Sequence, residues 1–188
     1  MIEFPNDPVA SANRLRDCYA CGMQSLKFSP TNLILMENCE EKLKQFMKEQ
    51  DVRAEHLHFE KSVHTVEDAC REAKAAPEDL VKTICLLTKD GKMIGALVLG
   101  SDRASTGRIA KALNIEKPRV ATPEEAEKTG YLVGGMPPFG YKAIFLIDSK
   151  VMEKKLVYAG GGTPNALVRI APEEVKRINN GLIVRIRK

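Results

Sequence analysis

The sequence predicts an α+β, or mixed α/β, fold in which helices are interspersed with pairs of strands. The clearest observation is a hairpin signal, Asp90-Gly91, between two apolar segments. A second is a series of helix starts marked by capping residues or first-turn prolines. A third is that the sequence contains neither Gly-x-Gly-x-x-Gly nor a Walker loop. Together these observations favour a mixed architecture over a doubly wound nucleotide-binding fold.

Residues 1–36 are predicted to form an N-terminal extension, and residues 37–188 a single domain. In the extension, residues 9–23 have helical periodicity. Cys18 and Cys21 have the spacing of two metal ligands, but no second pair follows at zinc-finger distance. Two cysteines packed one turn apart on a helix are therefore the favoured interpretation. The five cysteines are an odd number, which does not indicate a disulfide framework.

Five helices are predicted after the extension, most of them from a cap or a proline that precedes residues at helical spacing. Asn38 with Glu41, and Thr65 with Asp68, have the spacing of capping boxes. Pro77 is expected to stop the helix that follows Thr65. The predicted helices cover residues 39–50, 66–75, 105–113, 123–130 and 172–178.

Seven strands are predicted from apolar or alternating segments bounded by turn residues. The two segments joined by the hairpin signal are apolar on both faces, which predicts a sheet covered on both sides. The predicted strands cover residues 54–59, 81–88, 93–99, 143–147, 156–158, 167–170 and 182–186.

Composition sets broad limits on the class of protein. The chain has 188 residues, of which 44% are hydrophobic and 29% charged, as in ordinary globular proteins. It contains no apolar run of membrane-spanning length, and its first residues do not resemble a signal peptide, so a cytoplasmic location without a membrane partner is expected. A net charge of +4 is compatible with a polyanionic partner but does not demonstrate one.

Lys82 is the first residue that could carry chemistry. In an extended strand it shares a face with Ile84 and Leu86. If that face is interior, the ammonium group lies at the rim of a pocket and can pair with a phosphate or hydroxyl oxygen. The alternative is an edge lysine whose stem reaches water, and periodicity alone favours this alternative.

Two glycine-containing loops and one histidine are further candidates. Gly134–Gly140 combines glycines and prolines, so its backbone groups can be both accessible and fixed in advance. The run Gly160–Gly162, followed by Thr163, could line a cavity or make a plain tight connection. His64 precedes the predicted cap at Thr65, where it could transfer a proton or simply face solvent.

Five short segments, taken in order, carry a resemblance to a known family. It is the YbaK/ProX family, which includes the editing insertion of bacterial prolyl-tRNA synthetase. The resemblance covers roughly residues 40–180, and Gly-Gly-x-Pro-Pro-Phe-Gly is its most specific part. The segments are His64-Thr-Val-Glu-Asp-Ala69, Asp79-Leu-Val-Lys-Thr-Ile84, Leu97-Val-Leu-Gly-Ser-Asp-Arg103, Gly134-Gly-Met-Pro-Pro-Phe-Gly140 and Gly160-Gly-Gly162.

The resemblance implies a site. Lys82 matches the lysine that the family requires, which contacts the 3′-terminal adenosine of tRNA near the ester. Gly134 and Gly135 match a glycine pair whose backbone faces the aminoacyl group, and Thr65 lies where the family approaches the tRNA 3′ end. The other implied substrate-binding positions are His64, Asp102, Pro138, Phe139, Gly140, Gly161, Gly162 and Thr163.

The resemblance also implies a curled, barrel-like mixed sheet with flanking helices, aminoacyl-tRNA as partner, and neither metal nor organic cofactor. The expected reaction is hydrolysis of mischarged aminoacyl-tRNA of the Ala, Cys or Ser type, in trans because no synthetase segment is present. Family members often carry an aromatic or apolar residue at the position of His64, so the resemblance does not decide which amino acid is removed from the tRNA. Whether the protein acts with a synthetase as partner is also left undecided by the sequence. The alternatives are a non-catalytic tRNA- or synthetase-binding module and hydrolysis of another small ester or amide.

Overall fold

The computed structural model describes residues 30–188, in five α-helices, eight strands and two single turns of 3-10 helix. The predicted helix over residues 9–23 and the pair Cys18 and Cys21 lie outside the described residues. The helices are α1 (Pro30–Glu49), α2 (Val66–Ala73), α3 (Thr106–Leu113), α4 (Pro123–Glu127) and α5 (Pro172–Asn179). The strands are β1 (Ala54–His58), β2 (Val81–Leu87), β3 (Met93–Leu99), β4 (Arg119–Val120), β5 (Ile144–Ile147), β6 (Val157–Gly160), β7 (Ala166–Ile170) and β8 (Leu182–Ile183). The 3-10 turns are Pro77–Asp79 and Val151–Glu153.

The strands form two sheets. Five strands in the order β4-β2-β3-β5-β8 make the larger sheet, in which β2 pairs antiparallel with β3 and β4, while β3, β5 and β8 are parallel. The smaller sheet has the order β1-β7-β6 and is antiparallel. The mixed α+β class is confirmed. Closure toward a barrel is not confirmed, since the two sheets meet through an isolated bridge between Leu80 and Tyr158.

The hairpin of β2 and β3 is the centre of the larger sheet and matches its prediction closely. The side chain of Thr88 stabilises the turn by donating to Asp90 Oδ1 at 2.6 Å and accepting from Lys92 N at 2.9 Å. Residues on one face of the hairpin join the main core, whereas those on the other pack against Ile109 of α3. The sheet is therefore covered on both sides, as its apolar segments predicted.

Helix α1 is longer than predicted, and the capping box at Asn38 was wrong. The helix begins at Pro30, so Asn38 lies in its interior with an exposed side chain, and Glu41 pairs with Lys44 at 2.8 Å. No proline or glycine between residues 31 and 37 interrupts the helix, and Pro30 is suited to a first turn. Residues Cys39, Leu43 and Met47 recur at helical spacing and are buried in the main core.

Other helix starts agree with the sequence. The side chains of Thr65, Ser105 and Thr122 each accept a hydrogen bond from a backbone N–H three residues later, and Thr122 forms a complete capping box with Glu125. Several ends were predicted too late. Helix α2 ends at Ala73, four residues before Pro77, because Lys74 adopts a left-handed conformation.

The last predicted strand, 182–186, was too long. Only Leu182–Ile183 pairs with β5. The chain then leaves the ladder because the buried carboxylate of Asp148 accepts from Ile186 N and Arg187 N, both at 2.8 Å. Separately, none of the helices over residues 30–188 is both long and apolar enough to cross a membrane.

Candidate functional site

A pocket of ≈ 160 Å³ lies beside the start of β2. Its walls come from β2, the start of α2, the beginning of loop 134–140, and strands β6 and β7. Four of the predicted catalytic and substrate-binding residues meet there: His64, Thr65, Lys82 and Gly134. The remaining lining residues are Val63, Val66, Ala69, Leu80, Val81, Thr83, Gly100, Met136, Tyr158, Gly160 and Leu167.

Lys82 places a cation in the pocket wall. Its Nζ donates to the carbonyl oxygen of Gly100 at 2.8 Å, and its side chain is partly buried. An ammonium group has three N–H donors, so this contact leaves two for a ligand. Burial lowers the pKa of Lys82 below its usual value; Arg103 lowers it further, and Asp102 opposes the change. The amine is thus held by a fixed acceptor in surroundings that contain a second cation.

His64 and Thr65 form the part of the wall at the start of α2. The Thr65 hydroxyl accepts from Asp68 N at 3.0 Å and donates to Asp68 Oδ2 at 2.7 Å, which fixes the first turn of α2. The His64 side chain is exposed, and its ring lies directly over Gly134. A Cβ atom at position 134 would collide with that ring, so the contact depends on glycine. The backbone there has φ +91°, a conformation that also favours glycine.

Two glycine-containing loops pack backbone against backbone beside this wall. Gly162 N donates to Gly135 O at 2.7 Å, and Leu132 N donates to Gly162 O at 3.1 Å. A Cβ on Gly135 would collide with the backbone of Thr163, and one on Gly160 would come within 2.5 Å of Gly135 O. Because neither backbone can move aside cheaply, these positions require glycine for close approach. The glycine-containing segments 134–140 and 160–162 therefore pack together as one structural unit.

A buried polar cluster supports this unit from behind. Thr163 is fully buried, and its hydroxyl donates to Glu40 Oε1 of α1 at 2.7 Å. His58 Nδ1 lies 3.0 Å from the other oxygen of the same carboxylate. Nearby, His56 Nε2 hydrogen-bonds to Gly161 O at 2.9 Å, and burial lowers the pKa of His56 despite that bond. Helix α1 and strand β1 thus fix the position of residues 160–163.

The later part of loop 134–140 is anchored in the core and does not line the pocket. Pro138 O accepts from Asn179 Nδ2 at 2.6 Å. Phe139 is fully buried and stacks on Phe46 at a centroid distance of 5.9 Å. Gly140 O accepts from the Tyr131 hydroxyl at 3.2 Å.

Five other residues predicted to bind substrate also lie off the pocket wall, among them Thr163, whose buried hydroxyl is bonded to Glu40. Asp102 accepts from Lys150 Nζ at 3.4 Å, close enough to influence the pKa of Lys82. Gly135, Gly161 and Gly162 form the backbone contacts behind the wall.

Cys85 is the cysteine nearest to Lys82 along the chain, and its surroundings do not suit a nucleophile. It is buried in the hairpin, and burial raises its pKa to about 11. The thiolate, which is the reactive form, is therefore scarce at neutral pH. The neighbouring Thr83 also contributes to the pocket, and its buried hydroxyl has no hydrogen-bond partner among the described residues.

A family profile described as the aminoacyl-tRNA editing domain matches residues 60–178, which is more than half of the chain. The chain belongs to this family. Solved structures agree on the fold. A protein described as hypothetical protein APE2540 is 25% identical, with a TM-score of 0.73, and the match covers 78% of this chain and 99% of the other.

A second structure is that of a protein proposed to be a trans-editing enzyme for prolyl-tRNA synthetase. It is 23% identical, with a TM-score of 0.74, and the match covers 86% of this chain and 99% of the other. A third, from work on grafting epitopes onto scaffold proteins, is 20% identical, with a TM-score of 0.72 and coverage of 86% and 99%. These two likenesses show the fold.

Some residues of this editing domain were missed by sequence reasoning. Glu40 lies in a helix where a carboxylate is ordinarily exposed, and its partner Thr163 is more than a hundred residues away. His56 and His58 alternate along β1, which was a usable signal, because alternate residues of a strand share a face. Nothing in the local sequence distinguishes the unpartnered hydroxyl of Thr83.

Proposed function

We propose that this editing domain hydrolyses the ester bond of mischarged aminoacyl-tRNA, acting in trans on tRNA that carries a small amino acid. One observation carries the proposal: Lys82, with N–H donors to spare, shares a small pocket with the glycine backbone at residue 134 and with the start of α2. Membership of the aminoacyl-tRNA editing family supports the same substrate class.

The reaction needs positioning more than a strong nucleophile. Water attacks the ester carbonyl carbon, the bond from that carbon to the ribose oxygen breaks, and the ribose oxygen takes a proton. The products are free amino acid and uncharged tRNA. In the proposed site, the Lys82 ammonium orients the tRNA 3′ end through its free donors. The backbone of the first residues of loop 134–140 faces the aminoacyl group, so fixed dipoles can stabilise the developing oxyanion. The buried, high-pKa thiol of Cys85 fits a mechanism without a covalent cysteine intermediate.

Pocket size favours a small amino acid. A volume of ≈ 160 Å³ is well below the roughly 300–1,000 Å³ of pockets for drug-sized ligands. Alanine, cysteine and serine are the candidates. The exposed ring of His64 stands at this pocket and could narrow it further or exchange a proton with substrate.

The proposed partners follow from the family. Aminoacyl-tRNA is the substrate, and the likeness to a protein proposed to be a trans-editing enzyme for prolyl-tRNA synthetase makes tRNA charged by that synthetase the first to test. We place the activity in the cytoplasm, where translation supplies this substrate. A lasting complex with a synthetase is not required, because released tRNA presents its 3′ end to solvent.

A panel of aminoacyl-tRNAs tests the proposal. The protein is incubated with tRNAPro charged with alanine, cysteine, serine or proline, and release of free amino acid is followed. Release of one or more of the small amino acids at a rate well above spontaneous hydrolysis, with prolyl-tRNAPro spared, is expected. Binding to every charged tRNA without acceleration of hydrolysis would contradict the proposal and would favour a non-catalytic tRNA-binding module with the same fold.

A further inference from the structure

Charge is distributed unevenly around the pocket. Three segments near the Gly100 side, residues 100–111, 148–155 and 185–188, contain nine Lys and Arg against three Asp and Glu. The whole chain has an excess of only four positive charges, so the remainder of the sequence is slightly acidic. Three of the nine cations are close to acids: Arg187 to the buried Asp148, Lys150 to Asp102 at 3.4 Å, and Lys154 to Asp79 at 3.1 Å. The other six form no ion pair among the described residues, so the surface stays basic after these pairs are discounted.

Hydrogen bonds join these segments into one surface that adjoins the pocket. Lys82 Nζ donates to Gly100 O. Two residues further along the chain, the carboxylate of Asp102 accepts from Lys150 Nζ at 3.4 Å. Lys188 N donates to Arg103 O at 2.8 Å, so residues 185–188 lie along the loop that carries Arg103. We call the exposed surface of the three segments the basic face.

Helix α3 extends the basic face away from the pocket. Arg108 and Lys111 are both exposed, and their spacing of three residues places them on the same side of the helix. The Arg108 guanidinium donates to Arg187 O at 2.6 Å, so this side of α3 is adjacent to residues 185–188.

The part of the pocket rim that includes α2 has the reverse charge. Residues 60–79, which include α2, contain three Lys and Arg against six Asp and Glu. Two of these cations are already close to acids. Arg71 contacts Asp68 at 2.5 Å and Glu72 at 3.2 Å, and Lys61 lies 3.9 Å from Glu72. A polyanion that reaches the pocket is therefore attracted toward one side and repelled from the other.

From this asymmetry we infer that the basic face binds the phosphate backbone of the duplex stem next to the 3′ end of the substrate RNA. The inference rests on the proposed function, in which the 3′ end enters the pocket at Lys82. Lys and Arg side chains that neutralise phosphates release counterions, which gives affinity without reading the sequence. The stem then leaves the pocket over loop 100–103 and α3, and away from α2.

Two matched double variants test this orientation. Arg108→Gln with Lys111→Gln removes two charges from the basic face, and Lys61→Gln with Lys74→Gln removes two from the α2 side. The probe is an uncharged RNA hairpin with a single-stranded CCA 3′ tail, and binding is measured by fluorescence anisotropy over a range of salt concentrations. The first variant is expected to weaken binding about tenfold and to reduce the slope of log K against log salt by about 2. The second should bind within about twofold of the unchanged protein.

Thermal unfolding of both variants checks that they are folded. A charge-conserving variant, Arg108→Lys with Lys111→Arg, is a further control and should bind the RNA hairpin as the unchanged protein does. Equal weakening by the two neutralising variants would overturn the proposed orientation, as would no weakening by the first. The result is separate from catalysis because the hairpin carries no ester. Inertness toward all aminoacyl-tRNAs with selective loss at Arg108 and Lys111 would refute hydrolysis and support the basic face. Hydrolysis of aminoacyl-tRNA without selective loss of RNA binding at Arg108 and Lys111 would support the proposed function and refute the basic face as the RNA-binding surface.

Discussion

The two halves of loop 134–140 differ in what they contact. The first half lines the pocket at Gly134 and Met136, and Gly134 lies under the exposed ring of His64. The second half, at Phe139 and Gly140, is fastened to the core by a stacked ring and a tyrosine hydroxyl. One short motif thus supplies both a pocket-lining backbone and the contacts that hold it rigidly in the core. Variants should therefore separate stability from activity along this loop.

Replacement of Phe139 by alanine is expected to have the largest effect on stability. Phe139 is completely buried against Phe46, so its truncation leaves a cavity and should lower the free energy of unfolding by about 3–5 kcal/mol. Denaturant unfolding measures the loss. Well below the melting temperature, deacylation per folded molecule should stay within a few-fold of the unchanged protein. A large loss of activity in a fully folded sample would show that the two halves do not act separately.

Replacement of Glu40 by glutamine tests the support behind the glycine loops. Glu40 is buried, and its carboxylate accepts from Thr163, so removal of the charge should lower the free energy of unfolding by about 1–3 kcal/mol. Hydrogen exchange at residues 160–163 should become faster than in the unchanged protein. Glu41→Gln, one residue along on the exposed surface, is the matched control and should change neither quantity. Unchanged exchange in the Glu40 variant would mean that other contacts hold the loop.

Gly134→Ala and Gly140→Ala form a matched pair across the two halves. Both glycines have φ near +90°, so the backbone conformation alone should cost each alanine variant about 1–2 kcal/mol of stability. Gly140→Ala should lose more, because its Cβ would lie 2.7 Å from the buried Tyr131 hydroxyl. Only the first substitution changes the pocket, because the new methyl group must displace the His64 ring. Deacylation should fall about tenfold in Gly134→Ala, a loss of about 1.4 kcal/mol in transition-state stabilisation, and remain close to normal in Gly140→Ala. Equal losses of activity in the two variants would contradict the division of the loop.

The smallest expected effect is in the pH profile of deacylation. The lowered pKa of Lys82 means that its ammonium form, which the mechanism needs, is present at low pH and is lost as pH rises through that pKa. The enzymatic rate, corrected for spontaneous hydrolysis, should decline in alkaline solution at a lower pH than an ordinary lysine would give. In Lys82→Arg, any remaining activity should lack this decline, since guanidinium stays protonated. An identical alkaline decline in both proteins would assign it to another group.

The sequence predicted correctly those turns and helix caps that depend on residues close together in the chain. The turn at Asp90-Gly91 and the cap at Thr65 involve residues a few positions apart, and both formed as expected. Asn38 failed because a good capping residue does not start a helix when the preceding segment is itself helical.

Contacts between residues far apart in the chain could not be predicted from the sequence. The bond between Glu40 and Thr163, and the packing of Gly135 on Thr163, depend on how distant elements meet. The division of the strands into two sheets has the same origin. The pocket itself was predicted through the family resemblance, because periodicity alone favoured the interpretation of Lys82 as an ordinary edge lysine.

Single-turnover deacylation of mischarged tRNA by Lys82→Ala tests the central claim most directly. With Lys92→Ala as control, an exposed lysine at the hairpin turn, both variants should remain folded. Lys82→Ala should lose about 10²–10³ in rate, as expected when a fixed cation near the reacting group is removed. Lys92→Ala should keep the full rate. Deacylation by Lys82→Ala at the rate of the unchanged protein would contradict the account, because the pocket would then act without the cation that defines it.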